Sequence, residues 1–583
     1  MVPALEIPTS ASLLIAVVLA VGPAVGPRLV LAAIPSREAA KLRDAGEVRG
    51  VVRDAEGPVA DAVVRVQTTE LAVRTSADGG FVIATARVVS GAATTPASAT
   101  GPAPDAYLLT AWAPGYYNAG PLVVRAGDRD VTLMLERHTV IDNAQYNWVG
   151  ATIQGEGKGH CQKCHSNPEA PDSLLFYDEW VRDAHSNAAR NPLFLSMYRG
   201  TDLAGNKSPP TRFVIQRDYG RVPLPPDPDR PYYGPGFKLD FPDQAGNCST
   251  CHAPAAATAS PNGTDPQHVS GAGAEGVTCD LCHKVWDVRL DSATGLPLEN
   301  MPGVMSMEFR RPGEKRQLFI GPLDDAAPGD DTASRVFRES RFCAPCHSAS
   351  FWGVEVYGSY HEWLESPYSD PKGGRTCQDC HMPHRGATRF TREDQGGLAR
   401  DPQTIGSHLM PGASDPSFLH DALTLEVTAV RADDAIEVSL SVTNANAGHH
   451  IPTDSPLRNI LLVVSARDAA GNESPLTSGP TLPDWAGDLA GKPGRGYAKV
   501  LEELWTEIAP SGAYWNPIRL VSDTRLPARA TDFSHYRFAV AQGDAVVTAR
   551  LIYRRAFQKL ARQKGWDLRD IEVRQVQVPL PTP

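Results

Sequence analysis

Gly276-Val277-Thr278-Cys279-Asp280-Leu281-Cys282-His283 holds two cysteines separated by two residues, with a histidine directly after the second. The same spacing recurs at Cys161/Cys164/His165, Cys248/Cys251/His252, Cys343/Cys346/His347 and Cys377/Cys380/His381. Together the five copies use all ten cysteines of the 583-residue chain. C-x-x-C-H is the attachment motif of c-type haem. The two thiols add to the two vinyl groups, and the following histidine can place its imidazole on the iron of the same haem. With 16 histidines in the chain, the chance of histidine at a given position is roughly 0.03, so five accidental successes are on the order of 10⁻⁸. Disulfides and zinc sites also use cysteine pairs, but neither calls for histidine in the next position. Five haem c groups are therefore expected, with those five histidines as iron ligands.

Working outward, residues 138–420 lack periodic apolar patterning and contain Pro-rich and polar connectors such as 222–235 and 255–267. Such a segment could not ordinarily bury enough apolar surface to offset chain entropy. Five haems change that balance, since each would serve about 57 residues as a covalently fixed apolar core. The expectation is a haem-packed domain, mainly irregular and α.

The flanks read differently. Val48–Val52, Pro58–Val66 and Thr75–Phe81 are short β-branched runs broken by Gly and Asp, the pattern of a β-sandwich. Their spacing resembles the carboxypeptidase regulatory-like (transthyretin-like) domain over 46–137, which implies a small β-sandwich without a catalytic role. Val131–Leu135 would close it, and residues 90–105 would form a surface loop. After His420, alternation returns at Leu423, Leu425 and Val427, then at Ile436, Val438, Leu440 and Val442, with a third strand over Ile460–Val464. Tyr553–Lys564 reads as a helix ended by Gly565, its charges forming a solvated face or a dock for an acidic partner. Residues 421–583 thus predict a mainly β domain with a late helix, which completes a multidomain fold.

Ile7–Pro27 carries no charge and Leu13–Val21 is strongly apolar, so residues 1–32 read as a signal peptide or an N-terminal anchor, with small residues for cleavage near Ala32. Haem attachment outside the cytoplasm agrees with an export signal, and a periplasmic or extracellular location follows. Net charge −11 and pI near 5.8 argue against nucleic acid as a partner. A membrane is a partner only if residues 1–32 remain attached.

The sixth iron ligand separates carriage from catalysis, because a second histidine closes the iron to substrate. Eleven histidines lie outside the motifs: His138, His160, His185, His268, His361, His384, His408, His420, His449, His450 and His535. An internal repeat is visible in Glu179-Trp180 leading to His185 and Glu362-Trp363 leading to Tyr368, where tyrosine replaces the histidine. Gly276–His283, Phe342–His347, Thr376–Pro383 and the Gly448-His449-His450-Ile451-Pro452-Thr453 turn resemble multihaem cytochromes c related to the tetrahaem carrier that accepts electrons from hydroxylamine oxidoreductase. That resemblance covers about residues 145–583. It implies mostly bis-His iron, with His185, His268, His408 and one of His449 or His450 as distal ligands and His160 and His384 competing for the fifth place. A ligand from the tail would make the tail part of the cytochrome.

The first functional reading is an electron carrier working between redox partner proteins rather than an enzyme. A multihaem oxidoreductase acting on a small nitrogen or sulfur compound at one open haem is the alternative, although the C-x-x-C-Lys motif usual in pentahaem nitrite reductases is absent. A subunit of an extracellular cytochrome filament, or another oligomer, is the third.

Overall fold

The computed structural model describes residues 46–85, 106–153, 160–167, 169–170, 174–313, 316–432, 434–539 and 543–582, with the backbone of Leu14–Val17 and Val30–Ala33. These two short segments pair antiparallel. The rest of the segment expected to direct export and the loop expected over 90–105 lie outside the described residues. Among the described residues, no helix is long and apolar enough to cross a membrane. The architecture is multidomain, with many β-sheets and few helices.

The chain divides into two compact units. In the first, a three-stranded sheet has Glu47–Arg53 at its centre, antiparallel to Gly80–Ala84 and parallel to Val131–Met134. A four-stranded antiparallel sheet runs in the order Ala72–Arg74, Val63–Val66, Ala106–Trp112 and Ala119–Arg125. Val48, Val52, Phe81, Ile83 and Leu133 from one sheet share a core with Val64, Val66, Leu109 and Ala111 from the other. Alternation explains this, since every second residue of a strand points to the same face. Residues 316–333 and 398–401, which the sequence reading counts with the cysteine-bearing segment, group with this unit. Arg65 pairs with Asp324 at 2.7 Å, and Arg400 with a buried Asp325 at 2.9 Å.

The second unit joins the remaining cysteine-bearing segment to the tail. Its helices before residue 416 are brief, the longest being Pro192–Arg199. Two-stranded ribbons such as Val285–Val288 with Met307–Phe309 connect them. In the tail, one sheet is ordered Leu423–Ala432, Ala435–Asn444, Thr531–Ala539 and Leu476–Ser478. The other is ordered Ile518–Asp523, Gly494–Glu503, Asn459–Asp468, Ala545–Arg554 and Ile571–Leu580. Leu425 opposes Val442 and Val427 opposes Leu440, so the alternation read in the sequence sets the hairpin register. Val438, Val442 and Tyr536 meet Leu462, Val464, Leu551 and Tyr553 in the core between these sheets.

The late helix corrects the sequence reading. It spans only Gln558–Gln563, because Tyr553 and Arg554 end the strand Ala545–Arg554, with Tyr553 opposite Ile460 and Ile571. Central strand pairing outweighs the local helical period. Nor is the charge run a uniform solvated face. Arg554 is buried against Asp488 and Asp570, and Lys564 is fully buried, its Nζ donating to the carbonyls of Ser196, Thr201 and Pro235. A buried ammonium requires such partners. Leu560, Ala561 and Trp566 pack with Met197, binding the tail helix to Pro192–Arg199 within the same unit.

Candidate haem-attachment site

Each C-x-x-C-H sequence winds into about one helical turn: Gln162–His165, Ser249–His252, Cys279–Cys282, Ala344–His347 and Cys377–His381. Residues three and four apart share a helix face, so both thiols and the histidine project to one side. Thr278 and Thr376 cap two of these turns, their hydroxyls accepting from the N–H groups of Leu281 and Asp379. All ten cysteines are free of disulfides.

The turns are close neighbours. Cys161 lies beside Cys279, Cys251 beside Cys346, and Cys343 beside Cys377. Within the last pair the neighbouring thiol is the largest influence, drawing Cys377 down to about 7 and pushing Cys343 up. Cys282 is near enough to act electrostatically on Cys343 and Cys346. In chain order, the first turn adjoins the third, the third the fourth, and the fourth both the second and the fifth.

The histidines show how imidazole is presented. Nδ1 of His165 donates to the carbonyl of Phe390 (2.6 Å), that of His252 to Ala188 (3.3 Å), and that of His381 to Pro411 (2.7 Å). His347 donates instead to the carboxylate of Asp454 (2.7 Å). Fixing the proton on Nδ1 leaves Nε2 as the metal-binding nitrogen. Burial pushes His252 down to about 4, and burial followed by the neighbouring His449 does the same for His381. Burial also depresses His347, but Asp454 overrides it and lifts the imidazole to about 9.

Two pairs of histidine rings stand at the spacing that two imidazoles held by one metal ion would have. His381 and His449 have ring centroids 6.3 Å apart with planes 19° from parallel, and His347 and His185 have centroids 6.2 Å apart at 73°. Two imidazoles each bonded at about 2 Å to one metal would have centroids about 6 Å apart. The residues present fit haem c: paired thiols on one face, Nδ1 occupied, and a second imidazole at ligand spacing.

Of the other sequence candidates, His408 is neighboured by His283, and burial first, then that ring, pushes it down to about 3. His449 donates Nδ1 to the carbonyl of His450 (2.8 Å), whereas the His450 ring lies 3.8 Å from the Glu362 carboxylate. His160 and His384 donate Nδ1 to the carbonyls of Gly150 and Ile405. The His268 side chain is 80% exposed and lies 3.8 Å from Asp265. His361 uses both ring nitrogens on carboxylates, Glu355 and Glu365.

The sequence reading missed the carboxylates and indoles that hold this arrangement. The buried Glu179 accepts from the Ser407 hydroxyl (3.0 Å) and the His408 N–H (2.7 Å), and the buried Glu362 accepts from the Thr453 hydroxyl (2.5 Å) and the His450 N–H (3.1 Å). Trp180 donates to the Val277 carbonyl and Trp363 to the Arg375 carbonyl, each two residues before the first cysteine of a motif. The Glu-Trp repeat was the available signal. Each copy clamps a histidine-bearing loop with its carboxylate and an attachment turn with its indole. Tyr368, at the repeat position of His185, is buried against the edge of Gly448, with the Arg529 guanidinium 4.8 Å from its ring centre. At Gly276, φ is +75° and a Cβ would fall 2.2 Å from the His185 carbonyl, so glycine lets the third attachment turn close on the His185 backbone.

No family model matches the chain, and no curated protein does. Among solved structures, the chain is similar to a penta-heme cytochrome c552 from Thermochromatium tepidum, with 20% identity, 72% of this chain and 97% of that chain covered, and a TM-score of 0.48. A further match is to the Fcho1 Mu homology domain of Danio rerio with bound Eps15 peptide, with 11% identity, coverage of 29% and 51%, and a TM-score of 0.11.

Proposed function

We propose that this protein is an exported multihaem c-type cytochrome that carries electrons through five covalently bound haems, most of them with histidine on both sides of the iron. The observation that carries this reading is the two pairs of neighbouring imidazoles, His381 with His449 and His347 with His185, at 6.3 and 6.2 Å. Haem supplies one-electron chemistry; the protein orders the groups and sets their potentials.

The residue roles follow. Cys161, Cys164, Cys248, Cys251, Cys279, Cys282, Cys343, Cys346, Cys377 and Cys380 form the thioethers, and His165, His252, His283, His347 and His381 are the proximal ligands. His449 serves opposite His381, His185 opposite His347, and His408 opposite His283. His160, His384 and His268 are the candidates for the two remaining distal positions. Contiguity of the attachment turns supports passage in series from the first through the third and fourth to the fifth, with the second as a branch at the fourth. Delivery and removal of electrons would fall to redox partner proteins. The N-terminal β-rich unit is proposed as a non-catalytic module resembling the carboxypeptidase regulatory-like domain.

Electron paramagnetic resonance of the oxidised protein tests the reading. Nearly all iron should integrate as low-spin, since histidine on both axial sites gives a strong ligand field. A high-spin signal from several haems would argue for open, substrate-accessible iron instead.

A further inference from the structure

Among the attachment histidines His165, His252, His347 and His381, one differs from the other three in its Nδ1 partner. His165, His252, His381 and His449 donate to neutral backbone carbonyls. His347 donates to the Asp454 carboxylate at 2.7 Å, and the opposing His185 donates to the Asp183 carboxylate at 2.6 Å. Both carboxylates are held rather than adventitious. Asp454 Oδ1 accepts from the Ser359 hydroxyl at 2.7 Å, while Asp183 has a 3% exposed side chain and also accepts the His185 backbone N–H at 2.8 Å.

We infer that Asp454 and Asp183 are positioning residues that make the haem bound at Cys343 and Cys346 the most negative in potential of the five. This rests on the electron-carrier reading and deepens it. A carboxylate accepting the Nδ1 proton increases the negative charge carried by the imidazole and strengthens its donation to the metal. The ferric state gains more from that donation than the ferrous state, and the two anions nearby act in the same sense. Arg458 is the opposing charge near Asp454, and its guanidinium is also engaged by the Thr453 carbonyl. No other pair of opposed imidazoles among the described residues has a carboxylate on both Nδ1 atoms. The fourth turn is also where the others meet, Cys346 lying beside Cys251 and Cys343 beside Cys377. A low potential there makes the junction a site that electrons cross rather than occupy, dividing the chain into arms that fill separately.

Spectroelectrochemical titration of the full holoprotein tests this with Asp454→Asn, Asp183→Asn and the conservative Asp454→Glu. In the wild type, the lowest of five one-electron steps should be the affected one. Each asparagine variant should move that same step upward by at least tenfold in equilibrium constant, about 59 mV for one electron, while Asp454→Glu keeps it low. Haem count by intact mass and the low-spin signal should be unchanged. Five-haem, low-spin asparagine variants whose steps all stay in place would overturn the inference alone, and so would a shift confined to a higher step. A wild type with fewer than five haems, or with high-spin iron at this position, would overturn the carrier reading and this inference with it. If Asp454→Asn fails to accumulate, Asp183→Asn decides, because it reaches the same haem through the opposite imidazole.

Discussion

Replacing Cys279 and Cys282 by serine is expected to give a protein with four haems and a markedly lower melting temperature. This turn is built into the structure from every side. Leu281 is buried in a cluster with Val285, Val288, Val304 and Val336. Asp280 and Lys284 form a fully buried ion pair at 2.5 Å, and Asp280 also accepts from the Tyr146 hydroxyl and the Val149 N–H. Val277 donates to the His185 carbonyl and accepts from Trp180. Loss of the macrocycle would leave a void against this closely packed turn. Deleting one large core aromatic costs about 3–5 kcal/mol, and a porphyrin is larger than that. Total stability for a domain is about 5–15 kcal/mol, so partial unfolding of the second unit is the expected consequence. Intact mass and thermal melting followed by near-ultraviolet circular dichroism check it. A four-haem double mutant melting as the wild type does would contradict the idea that haem replaces a conventional core here.

The second large effect separates two adjacent residues. His449→Ala should convert one haem of five from low-spin to high-spin, removing about a fifth of the low-spin intensity, whereas His450→Ala should leave the spin state intact. Successive side chains in extended backbone point to opposite sides, and the structure shows which points where. The His449 ring faces His381, with Nδ1 engaged by the His450 carbonyl. The His450 backbone N–H and ring are both directed to Glu362, itself paired with Arg525 at 2.5 Å. Gly448 makes room for the turn, since a Cβ there would lie 3.1 Å from Tyr368 and 3.3 Å from Trp363. Optical and paramagnetic spectra of the single mutants read the difference. If His450→Ala alone produced high-spin iron, the assignment would be reversed; if neither did, the tail would contribute no ligand.

What the sequence made legible was local. Five identical spacings named the attachment turns, period-two alternation from Leu423 to Val442 named the hairpin, and Glu-Trp recurring at 179 and 362 exposed the internal repeat. What stayed hidden depends on pairs far apart in the chain. Asp454 meets His347 across 107 positions, and Glu179 meets His408 across 229. A lone Asp or Glu in a polar loop carries no local mark of such a partner. Lys564 belongs to the same class: beside Arg562 it reads as surface, yet three carbonyls from 196, 201 and 235 enclose it. The late helix was misjudged for a related reason. Tyr553 and Arg554 fit a helical period, but pairing of their strand with Asn459–Asp468 and Ile571–Leu580 lies outside any local window.

Intact mass of the mature protein under denaturing, non-reducing conditions is the most direct test of the five-haem account. Thioether bonds survive denaturation, so the polypeptide should appear at a single mass higher than its own by five haems, with no thiol left to alkylate and no disulfide to reduce. A mass corresponding to fewer haems, or thiols that react with an alkylating agent in the oxidised, unfolded protein, would contradict it.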